Sequence, residues 1–372
     1  MVKKKILFIL HIPPPVNGAA IVGQNIMNSS IINKEFEADY INLATSFQLD
    51  EIGKGGLNKL KATFKIIRRV FKAIMEKDYD LCYLTLTAKG VGLYKDFLVV
   101  VLLKMMNKKI VYHFHNKGVS ENKSNKIHDF LYRITFKNTK SILLSPLLYK
   151  DVENYVARED AYFCANGVED IEDSLFNNTN GLKKEALCKL LFLSNMMAEK
   201  GVWTLLQACS MLKAKGLSFE CHFIGAWSDV TEKAFTQEVE RMDLLTEVFA
   251  HGKKYGKDKI SFFQDAGIFV FPTFYHNECF PLVLLEAMQF GKPVVSTTEG
   301  GIPDIVENGV TGVLVPKRDA QSLAEELEFL ILNAERRREM GRAGRLRYEE
   351  KFTLKKFEIN LKEILNDVIT SN

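Results

Sequence analysis

The sequence predicts an α/β fold built from two doubly wound parallel sheets. Three observations carry that expectation. Short β-rich runs alternate with amphipathic helical stretches, the pattern of βαβ units; the alternation stops once and restarts; and 372 residues with 47% hydrophobic side chains can bury two ordinary cores. The same size excludes a single small binding module.

In the first half, strands are expected at 5–10, 81–86, 109–113 and 141–145. The opening MVKKKILFILHIPPP sets lysines before apolar residues as a signal peptide does, but the apolar run covers only 6–10 and no small-residue cleavage site follows, so it reads as a first buried strand. The apolar stretch 97–103 stops at Lys104, far short of the roughly 20 residues of a bilayer span. Between 166 and 184 the polar, Asn- and Gly-rich NGVEDIEDSLFNNTNGLKK marks an interdomain linker. The second half reads as strands at 189–193, 219–224, 247–250, 267–271 and 293–296, helices at 201–213, 230–242, 257–265 and 281–290, and a hairpin-like stretch ending at 315. Charged helices at 319–348 and 351–368 close the chain, the last passing back to the first domain. The expected domains are 1–175, 176–350 and a returning helix in 351–372. Two doubly wound domains facing each other leave a cleft at the carboxyl ends of their strands, where open α/β sheets put ligands.

Six cysteines, Cys82, Cys164, Cys188, Cys209, Cys221 and Cys279, show no CxxC and no histidine at ligand spacing, so neither a zinc site nor a disulfide framework is indicated and a reducing cytoplasm is expected. Basic residues outnumber acidic ones 25 to 19 up to residue 180 and trail them 25 to 27 afterwards. Much of the excess lies in 54–77, where Lys61, Lys65, Arg68, Arg69 and Lys72 share a basic amphipathic helix with Phe64, Ile66, Ile67, Val70, Phe71 and Ile74. Two readings stand: a solvated helix packed on a sheet, or a surface for anionic lipid headgroups or a lipid-linked acceptor. Nucleic acid is not expected as a partner, because the stretch lacks stacking aromatics on its polar face and no DNA or RNA module appears.

The chemistry concentrates in 267–315, GIFVFPTFYHNECFPLVLLEAMQFGKPVVSTTEGGIPDIVENGVTGVLV. A buried strand runs into a loop carrying Glu278, and Pro281 opens a helix whose second turn carries Glu286. Proline suits a helix start, and the N–H groups of Leu282 and Val283 point out of the helix end, which attracts a diphosphate. Glu286 could accept hydrogen bonds from a ribose diol and Glu278 could hold sugar hydroxyls. Two glutamates could also be the acid and base of a glycoside hydrolase, but eight helical residues span about 12 Å, beyond the roughly 5 to 9.5 Å between hydrolase carboxylates.

Glu278 and Glu286 with seven residues between them, followed by EAMQFGKPVVST, GGIPDIV and NGVTGVLV, resemble the donor-site signature of glycosyltransferase family four. HIPPPVNGAA is similar to that family's first βα loop, IVYHFHNKG to its histidine-bearing strand end, ANGVED to its approach to the linker, and LFLSNMMAEKG to the first strand and phosphate-binding lysine of its donor domain. The resemblance implies the GT-B fold, two Rossmann-like domains about a central cleft, and transfer of a sugar, of hexosyl type, from a nucleotide-sugar donor with retention of configuration. It also implies that Glu286 binds the donor ribose, Glu278 the transferred sugar, backbone groups of Phe280, Pro281, Leu282 and Val283 the diphosphate, and that Lys200 neutralises the leaving phosphate. The loop Asn17, Gly18, Ala19 would approach the phosphates or the acceptor, and His115 would act at the reacting centre, with His113 as the structural alternative on the same strand. The chain departs from the family where Ser194-Asn195 replaces a Gly-Arg pair, so Asn195 can hydrogen-bond phosphate without offsetting its charge. Cys279, Phe280 and Pro281 stand where small glycines are common, and Asp304 where Glu is usual.

Metal-dependent transferases use a DxD at a strand's end; Asp78-Tyr79-Asp80 precedes a strand instead and reads as a helix-to-strand turn, so no metal is expected. No GxGxxG follows the first strand and there is no P-loop, which excludes a dinucleotide dehydrogenase and a P-loop NTPase. The expected function is a metal-independent retaining glycosyltransferase, without a cofactor, acting on a glycan or lipid-linked acceptor in bacterial envelope polysaccharide or glycolipid synthesis. Its expected place is the cytoplasm, with a peripheral position at the inner face of the membrane. The alternative is a GT-B-like subunit that binds nucleotide-sugar or glycan without turnover, motivated by Asn195.

Overall fold

The computed structural model describes residues 3–45, 57–171 and 187–371. The chain divides into two compact units, Met1–Gly167 with Leu354–Asn372, and Val168–Thr353. A boundary between 175 and 176 lies outside the described residues, as does the linker segment 172–184.

The first unit runs β1 (Lys5–Leu10), α1 (Gly18–Asn28), α2 (Ser30–Glu35), β2 (Glu37–Asn42), α3 (Leu57–Glu76), β3 (Leu81–Leu86), α4 (Val91–Met105), β4 (Ile110–Phe114), α5 (Lys126–Phe136), β5 (Lys140–Leu143) and β6 (Ala161–Phe163). Its six strands are all parallel, in the order β2-β1-β3-β4-β5-β6. Every residue of β3 and β4 is buried, because helices cover both faces of the sheet, so these strands read as continuous apolar runs. The edge strand β2 is mostly half-buried and β6 is three residues long; neither carries the apolar run that reveals a central strand, and both escape the sequence reading. The turn Asp78-Tyr79-Asp80 stands at the amino end of β3, where Asp80 Oδ2 accepts the Lys5 N–H at 2.7 Å and Asp78 pairs with Lys108 at 2.5 Å.

The second unit runs β7 (Cys188–Leu193), α6 (Val202–Ala214), β8 (Phe219–Ile224), α7 (Glu232–Arg241), β9 (Val248–Ala250), α8 (Gly256–Asp265), β10 (Ile268–Phe271), α9 (Leu282–Gln289), β11 (Val294–Thr297), α10 (Ile302–Ile305), β12 (Gly312–Val315), α11 (Ala320–Leu332) and α12 (Ala334–Lys351). The strand order β12-β11-β10-β7-β8-β9 is again all parallel, the dinucleotide-fold order with its reversal between β7 and β10.

Three expectations are corrected. The stretch ending at Val315 is not a hairpin: β12 pairs parallel with β11 after a crossover through α10, with Pro303 in its first turn, and the local turn at 307–311 stays outside the sheet. The helix expected over 319–348 is two, because the Asn333 side chain donates to the Phe329 carbonyl at 2.7 Å and competes with the backbone there. Pro281 caps α9 in extended conformation rather than forming its first residue.

The last helix, α13 (Leu354–Thr370), belongs to the first unit. It packs on α2 and buries Phe357, Leu361, Leu365 and Val368, spaced to line one helix face. Asn366 donates to Glu35 at 3.0 Å and Tyr162 to Asp367 at 2.5 Å. Leu361 is fully buried, so Leu361→Ala is expected to lower stability by about 2–5 kcal/mol, measured by denaturant unfolding, with the loss in the first unit.

Candidate functional site

In a doubly wound sheet the loops diverge where strand order reverses, leaving room for a ligand outside the strand ends. In the second unit that point lies between β7 and β10, and the predicted residues gather there. Beyond β7 the chain makes a 3-10 turn, Ala198–Lys200, ending at Gly201 with φ +89°. A Cβ at Gly201 would lie 2.2 Å from the Pro272 carbonyl oxygen, so only glycine lets this turn press against the loop after β10. The Glu199 carbonyl accepts the Phe274 N–H at 2.8 Å and the Thr273 hydroxyl at 3.3 Å, joining the two loops.

The geometry brings Lys200 and Glu278 together: Lys200 Nζ lies 2.5 Å from Glu278 Oε2, and its charge sits over the Tyr275 ring at 4.5 Å from the centroid. Glu278 is buried, and its loop is set by backbone. Gly300, at φ +57°, would drive a Cβ to 2.2 Å from the Glu278 carbonyl oxygen, while the Gly301 N–H donates to the Cys279 carbonyl at 2.7 Å. Phe280 and Pro281 are buried, and Leu282 and Val283 half-buried. The Leu284 N–H makes the first backbone bond, to Pro281 at 3.2 Å, leaving the amides of Leu282 and Val283 ahead of it at the positive end of α9. Glu286 stands apart from the Lys200 pair and is held by Lys259 of α8 at 2.7 Å, a partner the sequence gives no signal for. Asn195 is exposed at the end of β7.

Gly18 and His115 belong to the first unit, which has its own cavity of about 680 Å³ at the carboxyl ends of β1, β3 and β4. His115 lines it, and both ring nitrogens are buried without a hydrogen-bond partner. Its ring lies tilted, 4.3 Å between centroids, against that of His113, which is fully buried and bound through Nδ1 to the Tyr83 hydroxyl at 2.5 Å. Gly18 opens α1 beneath the cap Asn17, whose side chain accepts the Ala20 N–H at 3.0 Å; Asn17 and Ala19, rather than Gly18 itself, line the cavity. Sequence reasoning misses His11, which lines the same cavity with its Nδ1 3.1 Å from Thr85 Oγ1. A histidine directly after the first strand was the available signal.

Burial holds both His115 and His11 down to about 3, with His11 adding to the effect on His115 and Lys95 to that on His11. Both imidazoles are therefore neutral at physiological pH, each able to give one hydrogen bond and accept one. Among the described residues no group of three or more His, Cys, Asp or Glu could hold a metal ion, and no helix is long and apolar enough to cross a membrane.

The family model of glycosyl transferases group 1 matches residues 176–347. A capsular polysaccharide biosynthesis glycosyltransferase, CapM of Staphylococcus aureus, is 28% identical over 241 residues, 54% of this chain and 61% of the relative. A colanic acid biosynthesis glycosyltransferase, WcaL of Salmonella typhimurium, described as putative, is 34% identical over 145 residues, 37% of this chain and 35% of the relative. The chain thus spans less than two thirds of either relative's length. HepE of Anabaena, solved with UDP and glucose, superposes with a TM-score of 0.73 at 18% identity over 98% of this chain and 99% of that one, a likeness of fold.

Two outcomes are expected. Gly300→Ala forces a side chain onto the Glu278 backbone and should destabilise the second unit by roughly 1–3 kcal/mol, read by thermal or denaturant unfolding. Because the folded values of His11 and His115 lie below the ordinary 6.5, the unfolded chain takes up protons that the fold refuses. Their contribution is complete above about pH 6.5 and is lost as pH falls toward 3. His11→Gln and His115→Gln should each flatten the fall of melting temperature between pH 7 and pH 4.

Proposed function

We propose that the chain, which has the GT-B fold, is a member of the glycosyl transferases group 1 and transfers a sugar from a nucleoside diphosphate donor, with retention of configuration and without a metal. The observation that carries this reading is the Lys200–Glu278 pair beside the open end of α9, at the strand reversal of the second unit. The donor diphosphate lies against the amides of Leu282 and Val283 around Phe280 and Pro281, Glu286 takes the ribose, and Glu278 takes the sugar hydroxyls. Lys200 swings from Glu278 to the phosphate as the bond from the sugar's anomeric carbon to the phosphate oxygen breaks. Charge developing on that oxygen meets a cation and a helix end, which together do the electrostatic work a divalent ion does elsewhere. The acceptor hydroxyl attacks from the face the leaving group vacates, and its proton passes to the departing phosphate. His115 and the Gly18 loop serve the acceptor side of the reaction.

The relatives' names, capsular polysaccharide and colanic acid biosynthesis, support envelope polysaccharide synthesis as the setting; to this the proposal adds glycolipid synthesis and a glycan or lipid-linked acceptor. A cytoplasmic chain peripheral to the inner face of the membrane is supported by α3. That helix turns Ile66, Val70 and Ile74 into the core, yet leaves Leu60, Phe64 and Met75 67%, 70% and 59% exposed beside exposed Lys61, Lys65, Arg68, Arg69 and Lys72. A non-catalytic binding subunit is the second reading, favoured by Asn195, which offers phosphate no charge.

Lys200→Ala is expected to lower turnover of labelled nucleotide-sugar by about 100-fold or more with an unchanged circular dichroism spectrum. Equal rates in variant and parent would contradict the reading, and donor binding without transfer or hydrolysis on any acceptor would favour the binding subunit. Co-sedimentation with anionic vesicles should drop when Lys65, Arg68, Arg69 and Lys72 are neutralised together; undiminished binding removes the membrane surface.

A further inference from the structure

We propose that the cavity of the first unit binds an anionic amphiphile, an organic phosphate whose apolar part leaves between α3 and α4. As an acceptor site it rests on the transferase reading; as a binding site it does not. The cavity's wall carries Lys59, Lys89 and Lys95, and among the described residues no carboxylate lines it. Lys89 is steadied from behind by Glu121 at 2.6 Å and Lys95 by the buried Asp96 at 3.3 Å, neither of which lines the space. Two helices begin at the same wall. Asn17 and Ala19 belong to the start of α1; Gly90, Val91 and Gly92 belong to the start of α4, whose cap Gly90 offers no side-chain acceptor to the first amides. Both positive helix ends and the ammonium groups of Lys89 and Lys95 favour an anion. The unpartnered nitrogens of His115 add a neutral donor and acceptor for a hydroxyl.

The rest of the wall mixes His11, Asn116 and four threonines with apolar residues, and the apolar residues lead outward. Leu60 of α3 and Val91, Tyr94 and Leu98 of α4 line the cavity while remaining 67%, 52%, 46% and 50% exposed, so they form its mouth rather than its floor. The two helices pack together, and beyond the mouth Phe64, Phe71 and Met75 of α3 and Met105 of α4 continue the exposed apolar surface. On α3, Leu60, Phe64, Phe71 and Met75 recur at intervals of 4, 7 and 4 residues, which keeps them on one stripe. A volume of about 680 Å³ suits a headgroup with the first carbons of a chain. A chain running along that stripe meets a lipid bilayer without crossing water.

The test is titration calorimetry on the full chain with geranyl phosphate, short enough to stay dissolved, against geraniol, inorganic phosphate and UDP. Geranyl phosphate is expected to bind at least about tenfold more tightly than geraniol or inorganic phosphate, and to do so without nucleotide-sugar. Leu60→Gln and Leu98→Gln, both exposed and tolerant of a polar side chain, should weaken it about tenfold, as should Lys89→Gln, while Phe71→Gln beyond the mouth leaves this short ligand unaffected. Equal affinity for inorganic phosphate would mean a free-anion site, equal affinity for geraniol a plain apolar patch, and displacement by UDP with the mouth variants silent a nucleotide site; each overturns the proposal. Binding without any sugar transfer leaves the cavity standing and removes the transferase reading. Transfer onto a water-soluble glycan, with geranyl phosphate neither bound nor inhibitory, does the reverse.

Discussion

The twelve strands among the described residues all run parallel within their sheets, and that constraint governs where anything can bind. Parallel strands need crossover helices, which cover both faces and leave only the strand ends open. Each sheet has one reversal of order, between β1 and β3 in the first unit and between β7 and β10 in the second, and there the loops part. His11 and Thr85 flank the first reversal; Lys200 and Glu278 flank the second. The side chains with chemistry occupy the places that topology leaves free.

Glycines hold those places open by backbone contact. A Cβ would fall 1.9 Å from the His11 carbonyl oxygen at Gly23, 1.7 Å from that of Ser194 at Gly225, and 2.2 Å from those of Pro272 and Glu278 at Gly201 and Gly300. All four carbonyls lie in loops beyond strand ends. The loops are thus located by main-chain packing, in which the side chains of Lys200 and Glu278 take no part. The Lys200–Glu278 pair adds a second hold: each charge satisfies the other in a half-buried setting, so exchange for a phosphate is a swap of anions rather than the desolvation of a bare lysine.

Much of this was legible in the sequence, and for physical reasons. Central strands such as β3 are buried on both faces and appear as unbroken apolar runs, and the part of the second unit's site that begins at Glu278 lies in a stretch punctuated by Pro281, Gly300 and Gly301. What was hidden depends on distant partners. Lys259 reaches Glu286 from another helix, Glu278 finds Lys200 from 78 residues away, and His11 joins His115 only because β1, β3 and β4 are neighbours. The hairpin expected before Val315 failed because strand direction is set by the crossover through α10, which four residues of local pattern cannot announce. The exposed apolar stripe of α3 was half visible: composition showed apolar and basic residues together, but only packing shows that Leu60, Phe64, Phe71 and Met75 are left outside the core while Ile66, Val70 and Ile74 fill it.

The placement of α13 has a consequence for how the molecule is made. The first unit is encoded in two pieces separated by Val168–Thr353, so a ribosome delivers the groove beside α2 long before it delivers the helix that fills it. At usual synthesis rates of roughly 5–20 residues per second, that interval is on the order of ten to forty seconds. During it the apolar seat for Phe357, Leu361 and Leu365 is open to water and to other chains. Nascent chains of this architecture are therefore exposed to aggregation through the first unit until α13 has been made.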